Sequence, residues 1–443
     1  VMIFTRKSLI QLIIPLILEQ TLSVTIGMAD TLMVAVCGEA AVSGISLVDS
    51  INLLLINLFS ALATGGAVIT SQYIGKGDIH SGCQSTNQLM ISVATLSSAI
   101  MLIALIFRQQ ILSFIFGAIE ADVMENALIY FMVTALSYPF LALYNSGAAL
   151  FRSMGNSKLS LYTSLVMNLL NVAGNALFIF VFDMGVFGAA LATLLSRIFG
   201  SVFMIYMLSK PGNLIHLEKL FPLVIRWDMI KNILRIGIPS GLENSVFQIG
   251  KVMISSLVAS FGTVVIAANA VAGNIFSIQC IPGSAIGLAM VTVVGQCVGA
   301  REYEQAKKYT YRLMLLCMIC TGVVCLVTCL GASQISALYK LTDETAKLAA
   351  NLIIFHGSFA PIFWPPSFAL PNALRGASDV KFTMIASMIS MWSCRILLAY
   401  LLGDYFGMGI YGVFTAMIGD WIVRGSFFGY RFIKGKWQNK AYI

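Results

Sequence analysis

The sequence predicts an all-α integral membrane protein, with twelve transmembrane helices in two pseudo-symmetric six-helix lobes. Three observations lead there. Of the 443 residues 58% are hydrophobic and only 10% charged, with a mean hydropathy of +0.89, too much apolar side chain to hide inside a water-soluble fold. The apolar residues gather in stretches long enough to cross a hydrocarbon core of about 30 Å. The chain also contains itself twice.

The repeat is regular. Pro15 and Glu19 recur 224 positions on as Pro239 and Glu243, Ser60 as Ser284, and Leu89 and Met90 as Leu313 and Met314. Gln72-Tyr-Ile-Gly75 returns as Gln296-Cys-Val-Gly299, and Met184-Gly185-Val-Phe-Gly188 as Met408-Gly409-Ile-Tyr-Gly412. A slip of one residue carries Arg152 and Lys158 onto Arg375 and Lys381. The expected organisation is a first lobe over 1–208, a cytoplasmic linker over 209–232 and a second lobe over 233–443. Two duplicated bundles meeting at an interface are the plan of a transporter.

In order, the first six spans fall near 9–33, 44–71, 89–107, 127–150, 159–181 and 186–208. The second six fall near 233–260, 264–298, 309–330, 345–371, 382–402 and 409–433. The first follows Arg6 and Lys7 as a signal peptide would, but Pro15 and Glu19 interrupt it and no small-residue cleavage site follows. It is therefore read as a span. On a helix of 3.6 residues per turn Glu19 and Asp30 lie within about 20° of each other, so one stripe of this span is acidic and must face protein or water. Asn168, Asn171 and Asn175 share a face of the fifth span, and Thr193, Ser196 and Arg197 a face of the sixth.

The polar stretch from Ser209 to Asn232, with Pro222 and Trp227, reads as a linker lying partly flat on the membrane surface. Glu243 opens the second half as Glu19 opens the first, each four residues after a proline that frees a backbone carbonyl. The ninth span carries Cys317, Cys320, Cys325 and Cys329 without a His or carboxylate. Nine cysteines in all, nearly every one in a span, read as packing residues and not as a disulfide framework or metal site. His356 in the tenth span reads as a packing and hydrogen-bonding residue.

An even number of spans puts both termini on one side. Of the 27 Lys and Arg, only Arg108, Lys340 and Lys347 fall opposite, and Arg197, Lys251 and Arg395 fall within spans. The positive-inside rule then makes both termini cytoplasmic. The net charge of +8 reports this topology and contact with anionic lipid head groups, not nucleic acid. No phosphate-cradling Gly loop or Walker lysine is present, which argues against ATP-driven transport by this chain alone. No DDxxD, HxxxD or HExxH arrangement supports a polytopic membrane enzyme.

An ionisable side chain at the bilayer centre costs about 2.5–3.5 kcal/mol on insertion scales, so each one there demands a role. The acids are Glu19, Asp30, Asp49, Glu243 and Asp420; the bases are Arg197, Lys251 and Arg395. By depth Arg197 falls level with Glu19 and Arg395 level with Asp420. These charges read as structural, with Arg395 and Asp420 an ion pair inside the second lobe. For Glu19 and Lys251 structural and functional roles stay open. Asp30 and Glu243 lead as acids for ion and substrate, with Asn52 and Gln248 beside them as candidate cavity-wall residues.

Pro15-x-x-x-Glu19 leading to Gly27-Met-Ala-Asp30-Thr31, Gln72-x-x-Gly75 and Gln296-x-x-Gly299, Arg152-x-x-Gly155-Asn156, Gly188-Ala-Ala-x-Ala-Thr193 and Leu374-Arg375-Gly376 together resemble the multidrug and toxic compound extrusion (MATE) transporters, in order and over nearly the whole chain. The resemblance implies two six-helix lobes forming a V, and export of amphipathic, usually cationic, compounds in exchange for protons or sodium ions. By position Asp30 matches the family's first-helix acid, Asn171 the polar residue of its fifth helix and Thr193 its sixth-helix hydroxyl. Two positions depart from the known branches. Asn175 stands where the DinF-type branch has an Asp. Trp364 stands about where the NorM-type branch has an acid, with Glu243 one turn before that branch's seventh-helix Glu.

A carboxylate in a poorly hydrated cavity can be neutralised by a proton, a sodium ion or a cationic drug, and that competition is what antiport requires. The expectation is alternating-access exchange of H+ or Na+ for small amphipathic cations, with Glu19, Asn171, Asn175 and Thr193 supporting Asp30 and Glu243 and any bound Na+ near one of those two acids. No cofactor beyond the coupling ion is expected, and no catalytic residue. Membrane lipids are expected partners, the chain a monomer, and the location a bacterial inner or plasma membrane. The runner-up is a flippase for a lipid-linked precursor. It would line its cavity with several arginines, where the sequence offers Arg197 and Arg395.

Overall fold

Helix is the only regular structure among the described residues of the computed structural model, which cover 2–219 and 223–443; Pro222 of the linker lies outside them. Lipid offers backbone groups no hydrogen-bond partner, and helices satisfy theirs internally. The first half contains α1 (Arg6–Val34), α2 (Glu39–Lys76), α3 (Ile79–Ile106), α4 (Arg108–Phe116), α5 (Ala121–Leu136), α6 (Tyr138–Ser153), α7 (Ser157–Asn175) and α8 (Gly185–Leu208). The second contains α9 (Trp227–Ala259), α10 (Thr263–Gln279), α11 (Ile281–Gly299), α12 (Tyr303–Leu330), α13 (Ala332–Leu338), α14 (Asp343–Trp364), α15 (Leu370–Gly376), α16 (Val380–Ser390), α17 (Leu398–Tyr400) and α18 (Ile410–Ile433).

Nine of these helices, some with a π or 3-10 extension, are long and apolar enough to cross a membrane among the described residues, or ten if α5 and α6, bent by 46°, count as one span. The sequence predicts twelve. The difference lies in α9 and α18, which are long but carry Glu243 and Lys251, and Asp420 and Arg424. The predicted span over 264–298 is two helices, α10 and α11, broken at Cys280 with a proline in the first turn of α11.

The chain divides into two compact units, Ile10–Gly241 and Val1–Leu9 with Leu242–Ile443. These boundaries run differently from lobes at 1–208 and 233–443, for reasons visible in the packing. Phe4 N donates to the Tyr309 hydroxyl at 3.1 Å and Ile3 N to Gln305 Oε1 at 3.0 Å, which holds the start of the chain to α12. The first half of α9 packs on α2 so closely that a Cβ on Gly65 would lie 2.6 Å from the Ile233 carbonyl oxygen. The linker is tied to α3. Gln88 Nε2 donates to Val224 O at 2.7 Å and its Oε1 accepts from Arg226 N at 3.0 Å, while Trp227 stays exposed.

The duplication is written into the backbone. Residues with positive φ recur in pairs: Gly38 and Gly262, Gly77 and Arg301, Gly117 and Lys340, Gly155 and Ser378, Asp183 and Gly407, Gly185 and Gly409. In the repeated Met-Gly-x-x-Gly motif the first glycine takes this left-handed conformation and the second allows close helix approach. A Cβ on Gly412 would meet the Leu402 carbonyl at 2.6 Å. The pairs also locate the one-residue slip. Spacing shortens by one after α3 and α12, and returns to its first value between Ser378 and Gly407. A π-helix accommodates one extra residue in an α-helical frame, and one at Met391–Leu397 has no counterpart in the first half, whose single π-helix (Ala176–Val181) matches the one at Leu401–Tyr405. The inserted turn carries Arg395.

Candidate functional site: an acidic relay and a basic cluster

In the unit Ile10–Gly241, α1, α7 and α8 bring four of the sequence-predicted residues into one chain of hydrogen bonds. Asn175 Nδ2 donates to Asp30 Oδ1 and shares itself with Asn171 Oδ1 at 3.4 Å. Asn171 Nδ2 donates to Thr193 Oγ1 at 3.2 Å, and Thr193 donates to Ala189 O at 3.2 Å. The helical spacing of the asparagines puts them one turn apart on a single face. Asn175 is fully buried, and its Oδ1 has no hydrogen-bond partner. Asp30 is half-buried at the open end of the relay.

Asp49 forms a second acidic point on α2. It accepts from Tyr130 Oη at 3.0 Å and from Asn52 Nδ2 at 3.3 Å, while Asn52 Oδ1 accepts from Tyr138 Oη at 2.7 Å. The two tyrosines are hydrogen-bond partners that spacing does not reveal, since nothing local relates Asp49 to residues on α5 and α6. Arg197 donates to Ser137 Oγ at 2.7 Å, and its charge acts on both Asp30 and Asp49. This corrects its pairing by depth with Glu19. The Glu19 carboxylate instead accepts from Ser160 Oγ at 2.9 and 3.0 Å, and the cation that acts on it is Arg152. Equal depth on helices of different azimuth does not make contact.

The second unit has a different polarity. Glu243 is buried, pairs with Arg375 Nη2 at 2.9 Å and accepts from Ser387 Oγ at 2.6 Å. Asp420, fully buried, lies 3.6 Å from Arg395 Nη1 and 3.4 Å from Arg424 Nη2, and also accepts from Ser390 Oγ. The Arg395–Asp420 pair therefore has a third member. Arg424 reads from sequence as a cytoplasmic-side base, yet it is buried, and its i,i+4 spacing from Asp420 was the available signal. Counting Arg375 and Arg424, the interior holds more arginines than Arg197 and Arg395. Gln248 sits half-buried on α9. His356 stacks on Phe276 with centroids 4.0 Å apart and bonds Gln279, and all nine cysteines are free.

The halves thus diverge where the repeat aligns them. Positions corresponding to Asp30, Asn175 and Thr193 hold Ile254, Ala399 and Met417, while Gly27, Asn171, Ser196 and Gly200 correspond to Lys251, Arg395, Asp420 and Arg424.

Comparison with known proteins agrees with the duplication and the fold. A probable multidrug resistance protein NorM of Thermotoga maritima is 27% identical, with 99% of this chain and 94% of that protein covered. An uncharacterized transporter, YisQ, of Bacillus subtilis is also 27% identical, with 98% and 95% covered. Among solved structures, a multidrug resistance MATE family transporter of the MOP superfamily in an outward-facing conformation matches with a TM-score of 0.91 at 20% identity, covering 98% of this chain and 97% of that one. A MOP superfamily transporter from Pyrococcus furiosus, described as having a binding pocket of reverse polarity, matches with a TM-score of 0.89 at 20% identity and the same coverage. The MatE family model matches twice, over 15–177 and 239–401, one match in each half of the repeat. The chain belongs to the MatE family.

Proposed function

We propose that this chain is a secondary active antiporter, not an enzyme, which exports amphipathic cationic compounds in exchange for H+ or Na+ with Asp30 as the coupling carboxylate. The observation that carries this is the relay from Asp30 through Asn175 and Asn171 to Thr193. Ionised Asp30 accepts from Asn175 Nδ2. Protonated Asp30 can donate to Asn175 Oδ1, the buried oxygen without a partner, after a turn of the amide. The same oxygens suit a hard cation such as Na+. Glu243, the other leading acid, already has a buried counter-ion in Arg375, which leaves Asp30 as the carboxylate free to exchange partners. The names of relatives as multidrug resistance proteins support efflux of varied compounds.

In this reading the protein works as a monomer in an inner or plasma membrane with cytoplasmic termini, by alternating access, and uses no cofactor beyond its coupling ion. Proteoliposomes loaded with tetraphenylphosphonium test it under separately imposed proton and sodium gradients. One gradient is expected to drive efflux against the cation's own gradient. Movement that is indifferent to both would end the antiport assignment.

A further inference from the structure

We infer that the second unit holds an oxyanion-binding site formed by Lys251 and Arg395 beside the Phe247 ring, suited to the carboxylate or phosphate of an aromatic amphiphile. Four cations, Lys251, Arg375, Arg395 and Arg424, face two carboxylates there. Glu243 is taken by Arg375 at 2.9 Å, and Asp420 is divided between Arg424 and Arg395. No carboxylate among the described residues lies within 4.0 Å of Lys251, and the charge acting on it most strongly is that of Arg395, of the same sign. Two positive charges are left unmatched in a region where an unpaired charge is costly.

Three of the cations converge on one ring. Arg424 Cζ lies 5.4 Å, Arg395 Cζ 5.6 Å and Lys251 Nζ 6.0 Å from the Phe247 centroid. Ring quadrupoles attract cations and so help hold this like-charged cluster together. The aromatic surface continues through Phe368, edge-on to Phe247 at 5.7 Å, to Trp364, stacked on Phe368 at 5.2 Å. Access is through Lys251, which is exposed, while Arg424 is 3% exposed and committed to Asp420. Nor is the cluster a by-product of the repeat. Lys251 stands where the first half has Gly27, and Arg395 stands where it has Asn171, on a π-turn without a first-half counterpart; inserted π-turns recur at functional sites. An oxyanion between Lys251 and Arg395 would neutralise the excess through charge-assisted hydrogen bonds, with its aromatic body on Phe247, Phe368 and Trp364.

This deepens the efflux reading by adding acidic and zwitterionic aromatics to the compounds handled, and it is testable without a gradient, so its failure leaves the antiport proposal standing. Full-length protein in phosphatidylcholine nanodiscs is titrated calorimetrically with 2-naphthoate and with neutral 2-naphthamide. Naphthoate is expected to bind more tightly than the amide. Lys251→Gln should weaken naphthoate by about tenfold, the loss of one charged hydrogen bond, leave the amide unchanged, and keep the melting temperature, since it removes one of several like charges. Lys251→Arg should restore binding. Equal affinity for naphthoate and naphthamide, or for naphthoate in wild type and Lys251→Gln, would overturn the site. Repeating the titration with anionic phosphatidylglycerol separates the sources of the oxyanion. A fall beyond the roughly threefold that a surface potential of about −30 mV imposes identifies a lipid head group as competitor, and no further fall identifies a free solute.

Discussion

Asp30→Asn is expected to abolish gradient-coupled efflux, lowering the initial rate by about 10- to 100-fold, the worth of a charged contact in a poorly hydrated site. Folding and expression should stay close to wild type. The amide matches the carboxylate in shape, removes a charge that is costly to bury, and can still bond Asn175, whose own amide can turn to present the complementary atom. What the variant loses is the capacity to be neutralised in turn by a proton, a sodium ion and a cationic compound. Efflux assays in reconstituted vesicles, with protein recovery measured alongside, check both halves. Wild-type gradient dependence in Asp30→Asn would remove Asp30 from the coupling step.

The second large effect is on stability. Glu243 and Arg375 form a buried pair at 2.9 Å, with Ser387 satisfying one carboxylate oxygen. Replacing either partner alone, as Glu243→Leu or Arg375→Met, strands the other charge and should cost about 3–5 kcal/mol. Replacing both, as Glu243→Leu with Arg375→Met, should recover much of that loss, because two desolvation penalties vanish together. Thermal unfolding of the four proteins in one detergent makes the cycle. Additive losses would mean that the two residues are not coupled. The Asp420 cluster should behave differently, since Asp420→Ala strands two guanidiniums at once.

How much of this was legible in the sequence depends on the kind of information required. The duplication was fully legible, because identities at constant spacing need no geometry, and the left-handed pairs from Gly38 and Gly262 to Gly185 and Gly409 repeat it in the backbone. Faces within one helix were also legible. The spacing of Asn171 and Asn175 fixes their shared side, and the cost of polar groups in lipid turns that side inward. Which helix meets which was not, and this accounts for Arg197 being matched by depth to Glu19 when it acts on Asp30 and Asp49. Tyr130 and Tyr138 escaped notice for the same reason. The span count fell short at α9 and α18 because their interior charges, Glu243 and Lys251 on the one and Asp420 and Arg424 on the other, dilute the apolar signal. The π-turn bearing Arg395 was present in the sequence only as a one-residue slip in the repeat, with no sign of where the extra residue lay.

Ion and substrate are proposed to share one carboxylate, that of Asp30. Equilibrium binding of tetraphenylphosphonium to the purified protein, measured across pH and sodium concentration for wild type and Asp30→Asn, reads that sharing without transport. Wild-type affinity is expected to fall competitively as the coupling ion rises, through acidification if that ion is H+ or through added sodium if it is Na+, and Asp30→Asn to bind weakly and without that dependence. Tight wild-type binding indifferent to both pH and sodium, or the same dependence retained in Asp30→Asn, would contradict it.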